Sequence, residues 1–505
     1  MRIPEWLEGI LILFFAIIVM YGILSRAGTL ASGYHFADDH ELIRIEKAFQ
    51  DGTTTLGQAV VAYMRNDLHW RYRPLYWAER VIVTYFFGSD LYPWNCYTML
   101  KGILAFCLLY WMSRRMRYNR IISALVPCVI MLGAQFTPWF RSANQENTGL
   151  LLAAFTFWLI AAQAYYGKFR SWPYNLFIVW GGVSCGLVKE SFTLIMPVFI
   201  LLKFWLEYCD ERKTPEKGHF LRCLKGNLIP CGLISLAMLV NVGMILFRVG
   251  VDKVSYAGFN SETALWEYKR GILSSVFQHT KTYTDIGILL LLLAVMCYRN
   301  VNRAWLRKYG GLILISGCAM AVQLVGHAKS GMWERYMIPY TVLYVFLFIF
   351  ALYPLFEKDQ VHRMVFYAAM LWLVGSGVRT AYDGAVRYAE DGRNVSLFFE
   401  EVCAQTVEDD EILCAFYDDE LNLSSECWLE VHGRSVAYSW TNGAVENKVQ
   451  LAGGAGDSFD LERVGAVLCY GWQKEAMLEL LGLEEGEETG AYLFGNYLLL
   501  IKGDR

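Results

Sequence analysis

The sequence predicts an all-α polytopic membrane protein that ends in a small soluble α/β domain. Of its 505 residues, 55% are hydrophobic and 18% are charged. A soluble protein of this size has a larger share of charged residues, and a disordered protein has a smaller share of hydrophobic ones. The charge is also divided unevenly, since residues 381–505 carry 25 acidic and 8 basic side chains whereas residues 1–380 carry 23 and 37. We therefore expect a basic membrane domain over 1–380 and an acidic water-soluble domain over 381–505.

The membrane domain contains about eleven segments suited to crossing a bilayer, each of which needs roughly 20 mainly apolar residues. They are 5–25, 92–112, 121–140, 147–166, 173–189, 191–207, 228–250, 284–298, 310–327, 336–356 and 363–380. The stretch 74–89 is also apolar, but it contains Glu79 and Arg80, and each charge would cost roughly 2.5–3.5 kcal/mol at mid-span. We therefore expect this stretch at the membrane interface, within a first outer loop over 26–91 that carries amphipathic helices.

The charges of the loops predict which side of the membrane each loop faces. Loops such as 113–120 and 203–227 are dense in Lys and Arg, as cytoplasmic loops are. The N-terminus is then cytoplasmic and the acidic domain extracytoplasmic. Nearly all unusual polar clusters of the membrane domain fall in loops on the outer side, namely 26–91, 141–146, 189–191, 251–283 and 328–335. This convergence indicates one outward-facing site.

The acidic tail has the pattern of a soluble α/β domain. Strand-like runs cover 411–417, 434–440, 463–470 and 491–503, and helical patterns cover 394–406 and 473–483. Alternating strands and helices favour a small mixed or parallel sheet.

The first polar cluster is Asp38-Asp39-His40-Glu41, shortly after the first span. One interpretation is structural: Asp38 or Asp39 caps a helix over 40–50, and Asp38 with Glu41 resembles a capping box. The other is functional, with adjacent carboxylates at the membrane surface acting as a base or holding a cation. The spacing favours the cap, and both interpretations can hold together.

Two further clusters contain basic residues. Arg71 and Arg73 lie late in the first outer loop, where they either anchor the chain among lipid headgroups or hold a lipid phosphate with a bidentate guanidinium. Lys189-Glu190 separates two apolar runs, and it is either a simple tight turn or a pair of functional charges at the membrane boundary.

The last two clusters lie in short outer loops. His327, Lys329 and Arg335 concentrate positive charge beside Tyr336, although interfacial anchoring also explains part of this pattern. Glu146 belongs to a polar segment after the third span, which a polar turn explains nearly as well. No P-loop or HExxH motif is present, which argues against ATP-driven transport and zincin proteolysis, and we expect no nucleic-acid partner.

Together these motifs resemble those of the GT-C superfamily of membrane glycosyltransferases, which use polyprenyl-phosphate sugars. That family has an acidic motif early in a long first outer loop, an Arg-Pro-Leu near the end of the loop, a Lys-Glu pair at an outer helix junction and a late Arg-Tyr before a proline. The matching residues are Asp38-Asp39-His40-Glu41, Arg73-Pro74-Leu75, Lys189-Glu190, and Arg335-Tyr336 with Pro339. The resemblance covers residues 5–380, whereas the tail fits only loosely because these enzymes carry varied soluble domains.

The resemblance implies that a sugar moves, with inversion, from a polyprenyl-phosphate donor to a glycan, lipid or protein acceptor on the outer face. Asp38 or Asp39 would be the base on the acceptor hydroxyl, and positive charge would stabilise the departing phosphate. The expected phosphate-binding residues are Arg71, Arg73, Lys189, His327, Lys329 and Arg335, and the expected accessory residues are His40, Glu41, Glu146, Glu190 and Tyr336. The need for a divalent cation, Mg²⁺ or Mn²⁺, is left open. If present, it would be held by Asp38 and Asp39, with Glu146 as the attractive additional ligand.

Two other classes of protein fit parts of the same pattern. A transporter, flippase or polymerase of lipid-linked polysaccharide would also be polytopic with basic outer residues, and its Asp38 and Asp39 would serve only as caps. A receptor or scaffold would depend on the acidic tail alone. The range of the GT-C superfamily indicates a bacterial plasma membrane as the location.

Overall fold

The computed structural model describes residues 4–142, 144–165, 172–209, 219–250, 263–329, 331–407, 410–434, 436–441, 444–447, 464–483 and 488–502. Parts of the predicted loops 141–146, 203–227, 251–283 and 328–335, and of the predicted strand 434–440, lie outside the described residues.

Helices make up most of the described chain. In chain order they are α1 Glu5–Ala27, α2 Asp39–Gln50, α3 Leu56–Asp67, α4 Pro74–Phe87, α5 Leu91–Arg115, α6 Arg120–Met131, α7 Gln145–Tyr165, α8 Trp172–Val188, α9 Glu190–Thr193, α10 Met196–Tyr208, α11 His219–Gly243, α12 Leu265–Ser274, α13 Lys281–Met296, α14 Arg303–Gly326, α15 Ile338–Tyr344, α16 Tyr353–Phe356, α17 Gln360–Gln405, α18 Asp419–Val431 and α19 Lys474–Leu481. Segments of π-helix extend α11, α12 and α15, and a 3₁₀ turn over Glu334–Met337 precedes α15.

The described strands form one mixed six-stranded sheet. They are β1 Glu411–Cys414, β2 Val436–Thr441, β3 Ala444–Asn447, β4 Val464–Tyr470, β5 Glu488–Phe494 and β6 Tyr497–Lys502, in the order β3-β2-β1-β4-β6-β5. β1 is parallel to both β2 and β4, whereas the other pairs are antiparallel.

The predicted fold class is confirmed: the chain is a helical multi-pass membrane protein with a small α/β domain. Within the described residues, eight helical segments are long and apolar enough to cross a membrane. They are Glu5–Ala27, Leu91–Arg115, Gln145–Ala164, Glu190–Tyr208, His219–Val249, Arg303–Gly326, Glu334–Phe356 and Gln360–Gln405. The predicted span 121–140 is shorter, because α6 stops at Met131 before an extended Leu132 and a Gly133 with φ 133°.

Two sequence predictions for the C-terminal third are wrong in detail. The run 491–503 is not one strand but the β5–β6 hairpin, which turns at Gly495 with φ 61°. The predicted span 363–380 and helix 394–406 are both helical but are parts of the single 46-residue helix α17, and no proline interrupts the residues 381–393 between them.

The described chain forms two compact units. The helical unit comprises Met1–Arg26, Val61–Glu79 and Cys96–Gly384, and the sheet unit comprises Ala27–Val60, Arg80–Asn95 and Ala385–Arg505.

The sheet unit includes Ala27–Val60, the segment that follows α1, as well as the C-terminal region. Tyr34 and Phe36 lie in its hydrophobic core with Phe398, Phe399 and Leu499. The Tyr34 hydroxyl contacts the Ser424 hydroxyl at 2.6 Å. The acidic motif that follows Phe36 is therefore held by the core of the sheet unit.

Candidate active site

A break between two helices of the helical unit positions Lys189. The backbone of Lys189 is extended (φ −160°, ψ 146°), so α8 ends at Val188 and the one-turn helix α9 begins at Glu190. Lys189 is only 1% exposed despite its charge. Irregular backbone and a buried cation in a membrane protein are tolerated where the surrounding protein supplies partners.

The partner of Lys189 is Glu146, in the first turn of α7. Glu146 is fully buried, and Lys189 Nζ donates a hydrogen bond to Glu146 Oε1. The first turn of a helix favours a negative side chain because its backbone N–H groups carry partial positive charge. Glu146 was expected only as an accessory residue, yet it lies at the centre of this cluster.

Arg335 brings a second cation to the same carboxylate. Arg335 Nε lies 3.6 Å from Glu146 Oε1, and Arg335 Nη1 donates to Asn144 Oδ1 at 2.6 Å. The Lys189 ammonium also lies 4.3 Å from the centre of the Tyr336 ring, a cation–π distance. The Arg335 side chain remains 24% exposed, whereas that of Lys189 is almost fully buried.

His327 completes this arrangement, which we call the Glu146 cluster: Asn144, Glu146, Lys189, His327, Arg335 and Tyr336. The His327 ring stacks on Tyr336, with centroids 5.2 Å apart and planes 27° apart. Within the described part of the chain, three buried atoms of the cluster have no hydrogen-bond partner: Glu146 Oε2, Asn144 Nδ2 and His327 Nδ1. Unsatisfied polar atoms at this density are typical of a site completed by water or ligand.

Arg73 belongs to the helical unit but already has a carboxylate of its own. Its guanidinium donates to Asp67 through Nε at 3.1 Å and Nη2 at 3.0 Å, and it lies 4.6 Å from the Tyr76 ring centre. Burial opposes the charge, but Tyr76 and Asp67 together raise the pKa of Arg73 above its ordinary value. Arg73 is thus a paired cation at the start of α4, and sequence inspection overlooked Asp67, six residues before it.

The segment around Arg73 meets the α8–α9 break through Glu190. The backbone N–H of Tyr72 donates to Glu190 Oε1 at 3.2 Å. The hydrogen bond ties the Arg-Pro-Leu segment to the residue next to Lys189. Arg71 and Lys329 are half-buried in the same unit.

The charges that kept 74–89 out of the predicted spans also have partners. Glu79 accepts hydrogen bonds at 2.8 Å from Lys101 Nζ and from the Tyr97 hydroxyl, all in the helical unit. Arg80 belongs to the sheet unit and pairs with Glu41 at 2.7 Å. Lys101, inside a long apolar helix, was not among the predicted functional residues.

The two neighbouring aspartates of the sheet unit have different environments. Asp39 is 2% exposed, and its Oδ2 accepts a hydrogen bond from the backbone N–H of His35 at 3.0 Å. The same Oδ2 lies 3.3 Å from His35 Nδ1, while His35 Nε2 donates to the Tyr388 carbonyl at 3.0 Å. Asp39 therefore fixes the entry of the chain into α2.

Asp38 is half-buried and lies in the left-handed backbone region, with φ 72° and ψ −28°. The Arg80 guanidinium donates to its carbonyl oxygen. A non-glycine residue in this region costs about 1–2 kcal/mol, and such strain is concentrated at functional sites. Burial lowers the pKa of nearby His40, which keeps its ring neutral at pH 7.

The predicted helix cap is wrong for this cluster. Helix α2 begins at Asp39, and the side chain of Asp38 makes no capping hydrogen bond. Glu41 does not complete a capping box, because its carboxylate pairs with Arg80. The left-handed backbone of Asp38 explains the difference, since an N-cap residue normally has extended dihedrals.

These environments predict that two amide substitutions differ in their effect on stability. Asp39→Asn removes a buried carboxylate from its donors and should cost about 1–3 kcal/mol. Asp38→Asn should leave stability unchanged, because asparagine tolerates the left-handed region. Thermal unfolding in detergent should therefore show a lower midpoint for Asp39→Asn alone. An equal fall for Asp38→Asn would contradict the assignment.

The divalent cation that the sequence leaves open stays a prediction. No group of three or more His, Cys, Asp or Glu side chains in the described ranges is placed to hold one. Asp39, one of the two expected ligands, is engaged with His35.

No protein-family profile matches the sequence, and no curated protein matches it significantly. Among solved structures, the chain is similar to the apo crystal structure of the Archaeoglobus fulgidus oligosaccharyltransferase, with a TM-score of 0.46 and 13% identity over 97% of this chain and 74% of that chain. It is also similar to the archaeal oligosaccharyltransferase AglB from Archaeoglobus fulgidus in complex with an inhibitory peptide and a dolichol-phosphate, with a TM-score of 0.45 and 12% identity over 98% and 74% of the two chains.

Proposed function

We propose that this protein is a GT-C-type membrane glycosyltransferase that moves a sugar from a polyprenyl-phosphate donor to an acceptor hydroxyl. The observation that carries the proposal is the Glu146 cluster. It holds two cations against one carboxylate, and Arg335 is partly accessible. Within the described residues, the buried atoms Glu146 Oε2, Asn144 Nδ2 and His327 Nδ1 of the cluster also have no hydrogen-bond partner, so a ligand has polar atoms to bind there.

The cluster suits the charge change of this reaction. A donor phosphodiester carries one negative charge, and the polyprenyl phosphate that leaves carries a second. Lys189 and Arg335 supply one positive charge beyond what Glu146 neutralises, in a buried setting where electrostatic attraction is strong. Stabilisation of charge that develops only in the transition state accelerates the reaction. Asn144 and His327 hold Arg335 and Tyr336 in place.

In the sheet unit, we assign the base to Asp38 rather than Asp39. Asp38 is the more accessible carboxylate, whereas Asp39 is buried against His35. The acceptor oxygen attacks the anomeric carbon, the bond from this carbon to the phosphate oxygen breaks, and the proton of the acceptor hydroxyl passes to Asp38. A single displacement of this kind inverts the anomeric centre. Arg73, paired with Asp67, would position the loop rather than bind phosphate.

The assignment of the base predicts different activities for the two aspartate variants. Asp38→Asn should lower the transfer rate by about 10²–10⁴-fold, the usual contribution of a general base, while donor binding is retained. Asp39→Asn should have the wild-type transfer rate per folded molecule, because its defect is in stability. Transfer of radiolabelled sugar from polyprenyl-phosphate donors, measured at equal folded abundance, tests both. Full activity of Asp38→Asn would remove Asp38 from the mechanism.

A further inference from the structure

The proposed reaction gives no role to one end of the sheet in the sheet unit, which we call the carboxyl edge. It lies at the carboxyl ends of β1 and β4, two neighbouring parallel strands. From β1 the chain passes through α18 to β2 on one side, whereas β4 lies on the other side of β1. In open α/β sheets, ligands bind at the carboxyl ends of strands where connections diverge in this way.

Two aromatic side chains are exposed at this edge. Tyr417, just after β1, is 76% exposed, and Trp472, just after β4, is 71% exposed. Their ring centroids are 6.5 Å apart at an angle of 57°, and Trp472 stacks with Tyr470 at 5.9 Å and 16°. Tyr417 and Trp472 expose flat apolar faces beside polar groups, which suits the C–H faces of sugar rings, and the half-buried Tyr470 supports Trp472 from the core.

The loops that carry these rings are held by buried hydrogen bonds. Gln473 Nε2 donates to the Ala415 carbonyl at 2.9 Å, and Gln473 Oε1 accepts from the Tyr470 N–H at 3.0 Å. The Asn422 side chain exchanges two hydrogen bonds of 2.9 Å with the backbone of Phe416. The backbone is therefore fixed while the Tyr417 and Trp472 rings stay in solvent, which lowers the entropy lost on binding.

Carboxylates accompany the rings. Asp391 accepts a hydrogen bond from the Tyr497 hydroxyl at 2.8 Å, and Tyr497 is the cross-strand partner of Tyr470. Burial, together with the nearby carboxylates of Asp418 and Asp391, raises the pKa of Tyr470. Carboxylates accept hydrogen bonds from hydroxyl groups and repel anionic lipid headgroups, so the edge favours a neutral polyol over a membrane surface.

We propose that this edge, formed by Tyr417, Tyr470, Trp472, Asp418 and Asp391, binds a neutral oligosaccharide. The rings cover the sugar faces, and the carboxylates accept hydrogen bonds from the sugar hydroxyls. This binding does not require sugar transfer, so it can be tested independently of the proposed reaction. A glycan held here would be a chain that the protein elongates, modifies or keeps near the membrane.

Saturation-transfer difference NMR on the full-length protein in nanodiscs tests the proposal, with maltohexaose, chitohexaose and a neutral mannan hexasaccharide as probes. The wild type should bind at least one of them, and Trp472→Ala should raise its Kd at least tenfold. Phe86→Ala is the matched control, since Phe86 is a 71% exposed aromatic of the sheet unit in α4 and should leave the Kd unchanged. Asp38→Asn, expected to be inactive in transfer, should also bind normally.

Three results would overturn the proposal. The first is wild-type affinity in Trp472→Ala, and the second is no binding of any probe by the wild type. The third is quenching by brominated lipids that falls when Trp472 is replaced by Phe, because Trp472 would then be a membrane anchor.

Discussion

Lys189→Met is expected to lower kcat/KM for sugar transfer at least about 100-fold, the effect of removing a charge-stabilising group from a transition state. Lys189 is 1% exposed and its ammonium contacts the buried Glu146 carboxylate. Its removal also leaves that carboxylate with Arg335 at 3.6 Å, and breaking a buried pair typically costs about 3–5 kcal/mol of stability. Kinetics and unfolding must therefore be measured on the same preparations.

The double variant Lys189→Met with Glu146→Gln separates the two effects. The glutamine leaves no buried anion unpaired, but the Lys189 ammonium, one of the two proposed phosphate-stabilising groups, is still missing. We expect the double variant to recover most of the lost stability and little of the lost transfer. Recovery of transfer to within a few-fold of wild type would show that the pair serves folding alone.

Arg335→Ala is expected to reduce kcat/KM about 100- to 1,000-fold, with a smaller loss of stability than Lys189→Met. The Arg335 side chain is 24% exposed and reaches both Glu146 and Asn144, so it is the cation best placed to meet an incoming phosphate. Arg335→Lys should be intermediate, because lysine keeps the charge and loses the planar fork.

Arg379→Ala is the matched control for this series. Arg379 is 85% exposed on α17 and pairs only loosely with Asp383 at 3.7 Å, so its loss should leave transfer and unfolding unchanged. If Arg335→Ala behaves like Arg379→Ala, the Glu146 cluster does not act on the donor phosphate.

Much of the fold follows from the sequence because apolar length and loop charge are local signals. The spans at 5–25, 92–112 and 147–166 correspond to α1, α5 and α7. The β5–β6 hairpin was missed although Gly495-Asn496 is a turn signal, because the run on both sides is uniformly strand-like.

The sequence predicts which residues belong to the candidate site but not which of them contact each other. Lys189 and Arg335 stood out as charges at apolar boundaries, and the helical unit brings both to one carboxylate. Glu146 lies 43 residues before Lys189, so only tertiary packing reveals the pair. The same holds for Asn144, whose contact with Arg335 spans 191 residues.

The measurement that tests the central claim most directly is a donor comparison with purified wild-type protein in proteoliposomes. Radiolabelled sugar is offered either as a polyprenyl-phosphate conjugate or as a nucleotide sugar, and transferred label and released polyprenyl phosphate are both quantified. We expect transfer from the lipid-linked donor alone, with one polyprenyl phosphate released per sugar, and its loss in Arg335→Ala. Movement of intact lipid-linked sugar between leaflets without any transfer would contradict the enzyme and identify a transporter.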